Sequence, residues 1–416
     1  MADILPFKGF RATPDKVHLV ATRSVDNYPK EDLRHKLASN PFSFLHIINP
    51  DYSDGKRTKP GSVERLKKIK HKFLQFVSEE IFVQEQKPAY YLYQQYKDGN
   101  VYTGIIGCSS VADYEKGIIK IHEHTLTERE EKLKHYLEIC DFNAEPVLFS
   151  YENSSSIDDI VNLTILKKPA YDFTTTDRVR HKMWVISNGA TVTAIREAFS
   201  KVKAVYIADG HHRSASSSRL AHELAEKNPS HDGTENYNFY LGIFFPENQL
   251  RIYDFNRVVA DTNGLSSKDL LSKLKENFKV TPHHQNEYRP ELPHKFSMYL
   301  EGEWYELAAK PNLIDKKDPV KKLDASILSD FILSPVLGIK DLKTDKRISF
   351  VPGIKGMGEL KRLVDIGKFK LAFGLYPVQM PELKNIADTN NIMPPKTTWV
   401  EPKMRNGLVV YKLSDN

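Results

Sequence analysis

Apolar residues recur at helical spacing along 62–84, "SVERLKKIKHKFLQFVSEEIFVQ", where Val63, Leu66, Ile69, Phe73, Phe76 and Val77 share one face. Ser62 stands where an N-cap belongs, so an amphipathic helix with a solvated, Lys-rich face is expected over 62–84. The pattern then changes. "AYYLYQQY" and "VYTGIIGCSSV" are aromatic and β-branched, and "KDGN" between them has turn chemistry, which predicts a β-hairpin. "KGIIKIHEH" predicts a third strand running into the helix "LTEREEKLKHYLEIC". Strand and helix patterns alternate onward. "PVLFSY", "HKMWVISN" and "KAVYIAD" read as strands, and "SIDDIVNLTIL" and "ATVTAIREAFSKV" as helices. "YNFYLGIFFP" and "LRIYDFNRVV", with "ENQ" between them, predict a second hairpin. A Ser-capped helix "SSKDLLSKLKENFKV", strands "KFSMYL", "EWYELAA", "RISFVPG" and "LAFGLYPV", and the helix "DASILSDFILSPVLGI" fill the last third. The first 60 residues carry short apolar runs, "KVHLVAT" and "SFLHIINP", broken by Pro29, Pro41 and Pro50, and are expected to be strands and loops. Helices mixed with antiparallel hairpins define an α+β fold with mixed and antiparallel sheets.

Turn composition at "ADTNGLSS" places a boundary near 260–265. It divides a main α+β domain, 1–262, from a C-terminal α+β region, 263–416, that ends in a Pro-rich tail. Neither this stretch nor "KPNLIDKKD" is rich enough in Gly and Ser to be a flexible linker. There is no internal repeat and no low-complexity tract.

Composition narrows the class. With 416 residues, 40% of them hydrophobic, the chain can bury a large core. No run of 18 apolar residues occurs, and "MADILPFKGF" lacks the basic and apolar regions of a signal peptide, so a cytoplasmic protein without membrane spans is expected. Two cysteines, Cys108 and Cys140, have no partners at zinc-site spacing and point to a reducing compartment. The net charge of +6, from 60 basic and 54 acidic side chains, is spread along the chain rather than gathered in the patch a duplex-DNA binder shows. Small anions need only a local cluster.

Such a cluster occurs at 207–221, "IADGHHRSASSSRLA". A buried strand ends in Asp209 and a helix begins after Gly210, so "DGHHR" is a strand-to-helix turn. The first N–H groups of a helix lack internal partners, and the helix dipole favours an anion there. Arg213, and His211 and His212 when protonated, carry the wrong sign for that helix end unless an anion is bound. Gly210 lets a ligand approach the backbone closely. Asp209 is placed to hold a metal ion or to orient an imidazole. The plainer alternative makes Asp209 an N-cap, the histidines carbonyl caps and Arg213 half of an ion pair.

Other constellations are less specific. On a strand, His122 and His124 would share one face, as a two-histidine metal pair, with Glu123 on the other as a general base. The i, i+2 spacing excludes a zincin helix. In "DRVRHKMWVI", Arg178 and Arg180 on one extended face would clamp an anion, beside His181. The tail "MPPKTTWVEPKMRNGL" resembles a loop closing over a site, with Lys396 or Arg405 neutralising phosphate. "GIKGMGEL", with Gly353, Gly356 and Gly358, is a second-rank candidate anion loop.

The "DGHHR" turn after a strand resembles the nucleotide-phosphate turn of the ParB/sulfiredoxin-like fold, which free serine kinases with a ParB-like domain share. The whole chain resembles the domain-of-unknown-function family one thousand and fifteen, through "NPFSFLHIINPD", "AYYLYQQY", "TGIIGCSSVADYEKGIIKIHEHTL", "DRVRHKMWVI", "YIADGHHRSASS", "LDASILSDFIL" and "MPPKTTWVEPKMRNGLVVYKL". "ATRSVDNYP" stands where a Pro-Pro-Tyr-Asp-like segment is expected, a departure in the N-terminal loop. The resemblance implies a phosphotransferase using ATP or ADP with Mg²⁺ on a small hydroxylated metabolite, free L-serine being favoured. In that reading Gly210, His212, Arg213, Arg180, His181, Lys396 and Arg405 bind the nucleotide. Glu123, Asp209 and His211 are catalytic, and Asp209 also holds the metal. The alternatives are a non-catalytic nucleotide- or DNA-binding regulator of ParB-like type and a metal-dependent hydrolase built on His122 and His124.

Overall fold

The computed structural model describes residues 2–284 and 287–414. The chain divides into two compact units, Met1–Leu250 with Pro402–Asn416, and Arg251–Glu401. The division falls twelve residues before the expected boundary at 262, and the last fifteen residues return to the first unit.

The first unit is organised by a nine-stranded sheet. Its strands are β1 (Ile4–Leu5), β2 (Tyr90–Lys97), β3 (Asn100–Ser110), β4 (Ile119–Lys120), β5 (Val147–Tyr151), β6 (Tyr171–Thr174), β7 (Arg180–Ile186), β8 (Val205–Asp209) and β9 (Phe239–Pro246). The order is β4-β8-β5-β9-β3-β2-β7-β6, with β1 on β3. The expected hairpin is β2–β3, in register from Tyr91↔Ile106 to Lys97↔Asn100. β8 runs parallel to β4, and β9 parallel to β5. Phe149 stacks on Phe244 at 4.8 Å in a core that also takes Tyr151, Trp184, Ile195 and Phe199. Of the helices α1 (Val63–Ser78), α2 (Thr127–Cys140) and α3 (His211–Lys227), α2 packs against both α1 and α3. Ser62 caps α1 through the Arg65 N–H, as expected, but the helix stops at Ser78, and Phe82–Gln84 is a strand. Both cysteines are buried free thiols.

Two expectations are corrected here. The N-terminal runs are not strands: Val17–Val20 and Leu45–Ile48 are short helices, and Lys30–Ser39 is a longer one. Pro29 and Pro50 occupy N-cap positions, so prolines that break strands here open helices instead. Likewise, Phe239–Pro246 and Arg251–Val259 do not form a hairpin. The first pairs with β3 and β5, the second with strands of the other unit, and Glu247–Gln249 is a 3₁₀ turn between them.

The second unit holds a seven-stranded, largely antiparallel sheet through Arg251–Val259, Phe278–His283, Lys295–Leu300, Glu303–Ala309, Ile348–Pro352, Leu371–Gly374 and Thr398–Glu401. Leu270, Leu274, Phe296, Ile327, Leu328 and Phe373 fill its main core. The chain is thus an α+β protein. Among the described residues no helix is long and apolar enough to cross a membrane.

Candidate functional site

The two parallel strands fix where the chemistry gathers. Ile119 pairs with Val205 and Lys120 with Tyr206, so two or three residues further on, His122 and Glu123 come out beside the end of β8. In sheets with parallel strands, ligands collect at the carboxyl ends. The register of β8 against β5 shifts between Ile207 and Asp209, a bulge that re-aims Asp209. Gly210 then turns the chain with φ +112° and α3 starts.

The N-terminus of α3 is bare: it has no side-chain cap and no acidic residue in its first turn. Arg213 bends back over Gly210. Its Nη2 lies 3.3 Å from Asp209 Oδ2, and its Nη1 donates to the Pro146 carbonyl. A Cβ on Gly210 would meet that guanidinium at 2.9–3.0 Å, in a backbone conformation that L-residues rarely adopt. Gly210→Ala is therefore expected to cost about 1–3 kcal/mol of stability and to displace Arg213, which urea unfolding checks directly.

The two histidines staple the Glu123 segment to this turn. His211 Nε2 accepts the His122 N–H at 3.3 Å, and His212 Nε2 accepts the Leu126 N–H at 3.1 Å. With Nε2 accepting, the neutral His211 ring carries its proton on Nδ1, which faces Glu123 Oε2 at 4.0 Å. By sequence this turn offers three potential cations, Arg213 and, when protonated, His211 and His212. The structure corrects that count for His211. Burial, with His122 edge-on at 4.4 Å between ring centroids, holds His211 well below the ordinary imidazole range, so it is neutral. His122 is likewise pulled down by burial, to about 4 despite Asp209 nearby, and its Nδ1 is buried without a hydrogen bond.

A second cation comes instead from the tail. Lys403 Nζ lies 3.2 Å from Asp209 Oδ2. Burial pushes the Asp209 carboxyl up, but Lys403 and then Arg213 outweigh it and hold the group down at about 2. Both cations contact Oδ2. Two residues on, Arg405 is buried against Asp177, at 2.7 and 2.8 Å. Asn406 donates to Glu145 and pairs with Thr22 through the backbone. The segment 402–406 is therefore a strap anchored at Asp177 and Glu145, and it delivers Lys403 to Asp209.

His181 sits by the Arg405 anchor, buried between Phe173 and Tyr93. Its Nδ1 lies 2.6 Å from the Tyr93 hydroxyl. Burial lowers it to about 3, with Arg405 adding to the effect. It is a core residue five strands along the sheet from β8. Arg180 is also off the turn, its Nε and Nη2 both bonded to Asp172 at 2.8 Å. Arg178 has φ +62°, so it does not share an extended face with Arg180. Lys396 belongs to the second unit, where its ammonium lies 5.4 Å from the Phe255 ring. His124 is exposed while His122 is buried, because the strand ends at Lys120. The two therefore do not form a metal pair, and among the described residues no cluster of three His, Cys, Asp or Glu could hold a metal. At "GIKGMGEL", a Glu287 carboxylate oxygen already lies against Gly358, 2.8 Å from where its Cβ would stand.

A cavity of about 230 Å³ adjoins Arg213. Phe44, Ile48, Leu133 and Tyr136 wall it, and Glu145 and Asn406 are at its edge.

His122, His181 and His211 all have folded-state values below the unfolded one. Below about pH 6.5 the unfolded chain binds protons that the folded chain refuses. Stability is then expected to fall from pH 6.5 toward pH 4, on the order of 3 kcal/mol for His122 alone. Melting temperatures at fixed ionic strength across that range check it, with His122→Asn flattening the slope.

The pattern of the DUF1015 family, described as "Protein of unknown function (DUF1015)", matches residues 4–326. The chain belongs to this family. Among solved structures it is similar to a free serine kinase in complex with AMP, at 12% identity and a TM-score of 0.38, covering 74% of this chain and 90% of that one. A conserved hypothetical protein from Pyrococcus furiosus gives 13% identity and 0.36 over 74% and 94% of the two chains. C-terminally truncated SbnI from Staphylococcus aureus gives 13% and 0.37 over 71% and 82%. No curated protein matches the chain.

Proposed function

We propose that this protein is a nucleotide-dependent phosphotransferase acting on a small hydroxylated metabolite, with free L-serine as the favoured acceptor and ATP or ADP as donor. The observation that carries the reading is the bare N-terminus of α3, opened by a left-handed glycine and flanked by Arg213 and Lys403. A helix end without a cap, beside two cations that share a single carboxylate oxygen, is short of negative charge, and a phosphate supplies it. The apolar cavity beside Arg213 offers the nucleoside a place next to its phosphates.

The roles follow from position. The backbone N–H groups that open α3, with the Arg213 guanidinium and Lys403, hold the donor phosphates. Glu123, at the neighbouring strand end, takes the proton of the acceptor hydroxyl. The hydroxyl oxygen forms the new bond to phosphorus while the bond to the leaving nucleotide breaks, and the electron pair stays with the nucleotide. His211 is a positioning residue, its Nδ1–H directed at Glu123. Both histidine Nε2 atoms are taken up by backbone N–H groups, so the pair sets the distance between base and phosphates. Asp209 stays ionised, and its carboxylate is the group of this turn that would hold Mg²⁺. Bound there, Mg²⁺ would neutralise phosphate charge. Such chemistry is mostly positioning and charge neutralisation, which suits this side-chain set.

Incubation with ATP or ADP, Mg²⁺ and L-serine, followed by phosphorus NMR, tests the assignment. Appearance of O-phosphoserine with loss of one phosphoryl group from the nucleotide is the expected result. Nucleotide left intact across L-serine and other small hydroxylated acceptors would overturn it.

A further inference from the structure

In the second unit, Arg257 lies in the strand Arg251–Val259 and is fully buried. Its guanidinium stacks 4.8 Å from the Phe350 ring centroid, and its Nη1 donates to the Phe255 carbonyl. Its Nε and Nη2 are buried with no hydrogen-bond partner. Side chains alternate along a strand, so Asp254 leaves from the opposite face, where Arg289 Nη2 lies 3.3 Å from its Oδ1. Among the described residues no carboxylate hydrogen-bonds to Arg257, although the Asp254 charge favours the guanidinium.

The same chain shows what that edge is for. Arg180 grips Asp172, Arg347 grips Asp345 and Arg362 grips Glu359, each through Nε and Nη2 on the two carboxylate oxygens. The planar fork matches a pair of anionic oxygens. A buried guanidinium with that edge empty is disfavoured: burial lowers it to about 9 against the opposing effect of the Asp254 charge, and it stays charged at neutral pH.

The sheet also opens at this point. On one edge, Thr398–Glu401 pairs with 251–254 and Leu371–Gly374 with 257–259. Between them Phe255 and Asn256 have no ladder partner on that edge, and the Asn256 side chain takes the Leu375 N–H instead. At the split Lys396 lies over Phe255, which shares a strand face with Arg257.

We propose that the Nε–Nη2 edge of Arg257, with Lys396 at the split beside it, binds a two-oxygen anionic group of a small molecule, a carboxylate or a phosphoryl group. Entry requires the residues covering the edge to part. This site is independent of the phosphotransferase reading, because none of its residues belongs to the turn at Asp209.

The test is thermal unfolding in sodium phosphate and in sodium acetate, against sodium chloride at equal ionic strength. Wild type, Arg213→Ala, and Arg213→Ala with Arg257→Lys or Arg257→Met added are compared. The site predicts a saturable rise in melting temperature that persists in Arg213→Ala. In the Arg213→Ala background its apparent affinity falls at least tenfold when Arg257→Lys is added, which keeps the charge and loses the fork, and the rise is absent when Arg257→Met is added. A rise with phosphate alone identifies a phosphoryl ligand, and one with acetate alone a carboxylate. No rise beyond chloride in Arg213→Ala, or an unchanged rise when Arg257→Lys is added to it, would each overturn the proposal. Arg257→Lys keeps the test valid should Arg257→Met not fold.

Discussion

Replacing Arg213 by alanine is expected to lower kcat/KM for phosphoryl transfer by about 10²–10³-fold while the protein stays folded. The guanidinium lies against Gly210 at the bare end of α3, and its Nη1 is fixed by the Pro146 carbonyl. Buried His211 is neutral and does not replace it. The structural loss is modest: Arg213 is partly exposed, and Asp209 keeps Lys403 as a counter-ion. A drop of about 1–2 kcal/mol in unfolding free energy is expected from the lost hydrogen bonds. Arg213→Lys should recover only part of the rate, since it restores charge without the fork. Steady-state rates and urea unfolding of the same preparations separate the two effects.

Glu123→Gln should be the most damaging substitution for the chemical step. The amide keeps the size of the side chain and its place near His211 Nδ1, but it cannot take the acceptor's proton. A fall in kcat of about 10²–10⁴-fold is expected, with nucleotide affinity within a few-fold of wild type. That split sets it apart from Arg213→Ala, which weakens nucleotide binding as well. Equal losses of nucleotide affinity in both variants would remove Glu123 from the role of base.

The elements of the site were largely legible, because local chemistry decides them. "KAVYIADGHHR" is a buried strand, a glycine turn and a helix start, and Val205–Asp209, Gly210 and His211–Lys227 follow that division. The β2–β3 hairpin and the Ser62 and Ser266 caps were readable for the same reason. What depends on long-range pairing was not. Phe239–Pro246 and Arg251–Val259 carry hairpin-like patterns, yet each finds its partners elsewhere. "KIHEH" has strand composition, but the strand stops at Lys120, which sends His122 inward against His211 and leaves His124 in solvent. The charge at the turn was misjudged because burial, which no sequence pattern showed there, keeps His211 neutral. Lys403 was only one cation among several in the tail, and what singles it out is the anchoring of its neighbours, Arg405 on Asp177 and Asn406 on Glu145.

The central claim is that the bare helix end at Gly210 is a nucleotide-phosphate site. Calorimetric titration of ADP with Mg²⁺ into the wild type and into Arg213→Ala tests it most directly. Saturable one-site binding in the wild type, weakened at least tenfold in the folded variant, is the predicted result. No binding to the wild type, or the same affinity in Arg213→Ala, would contradict it.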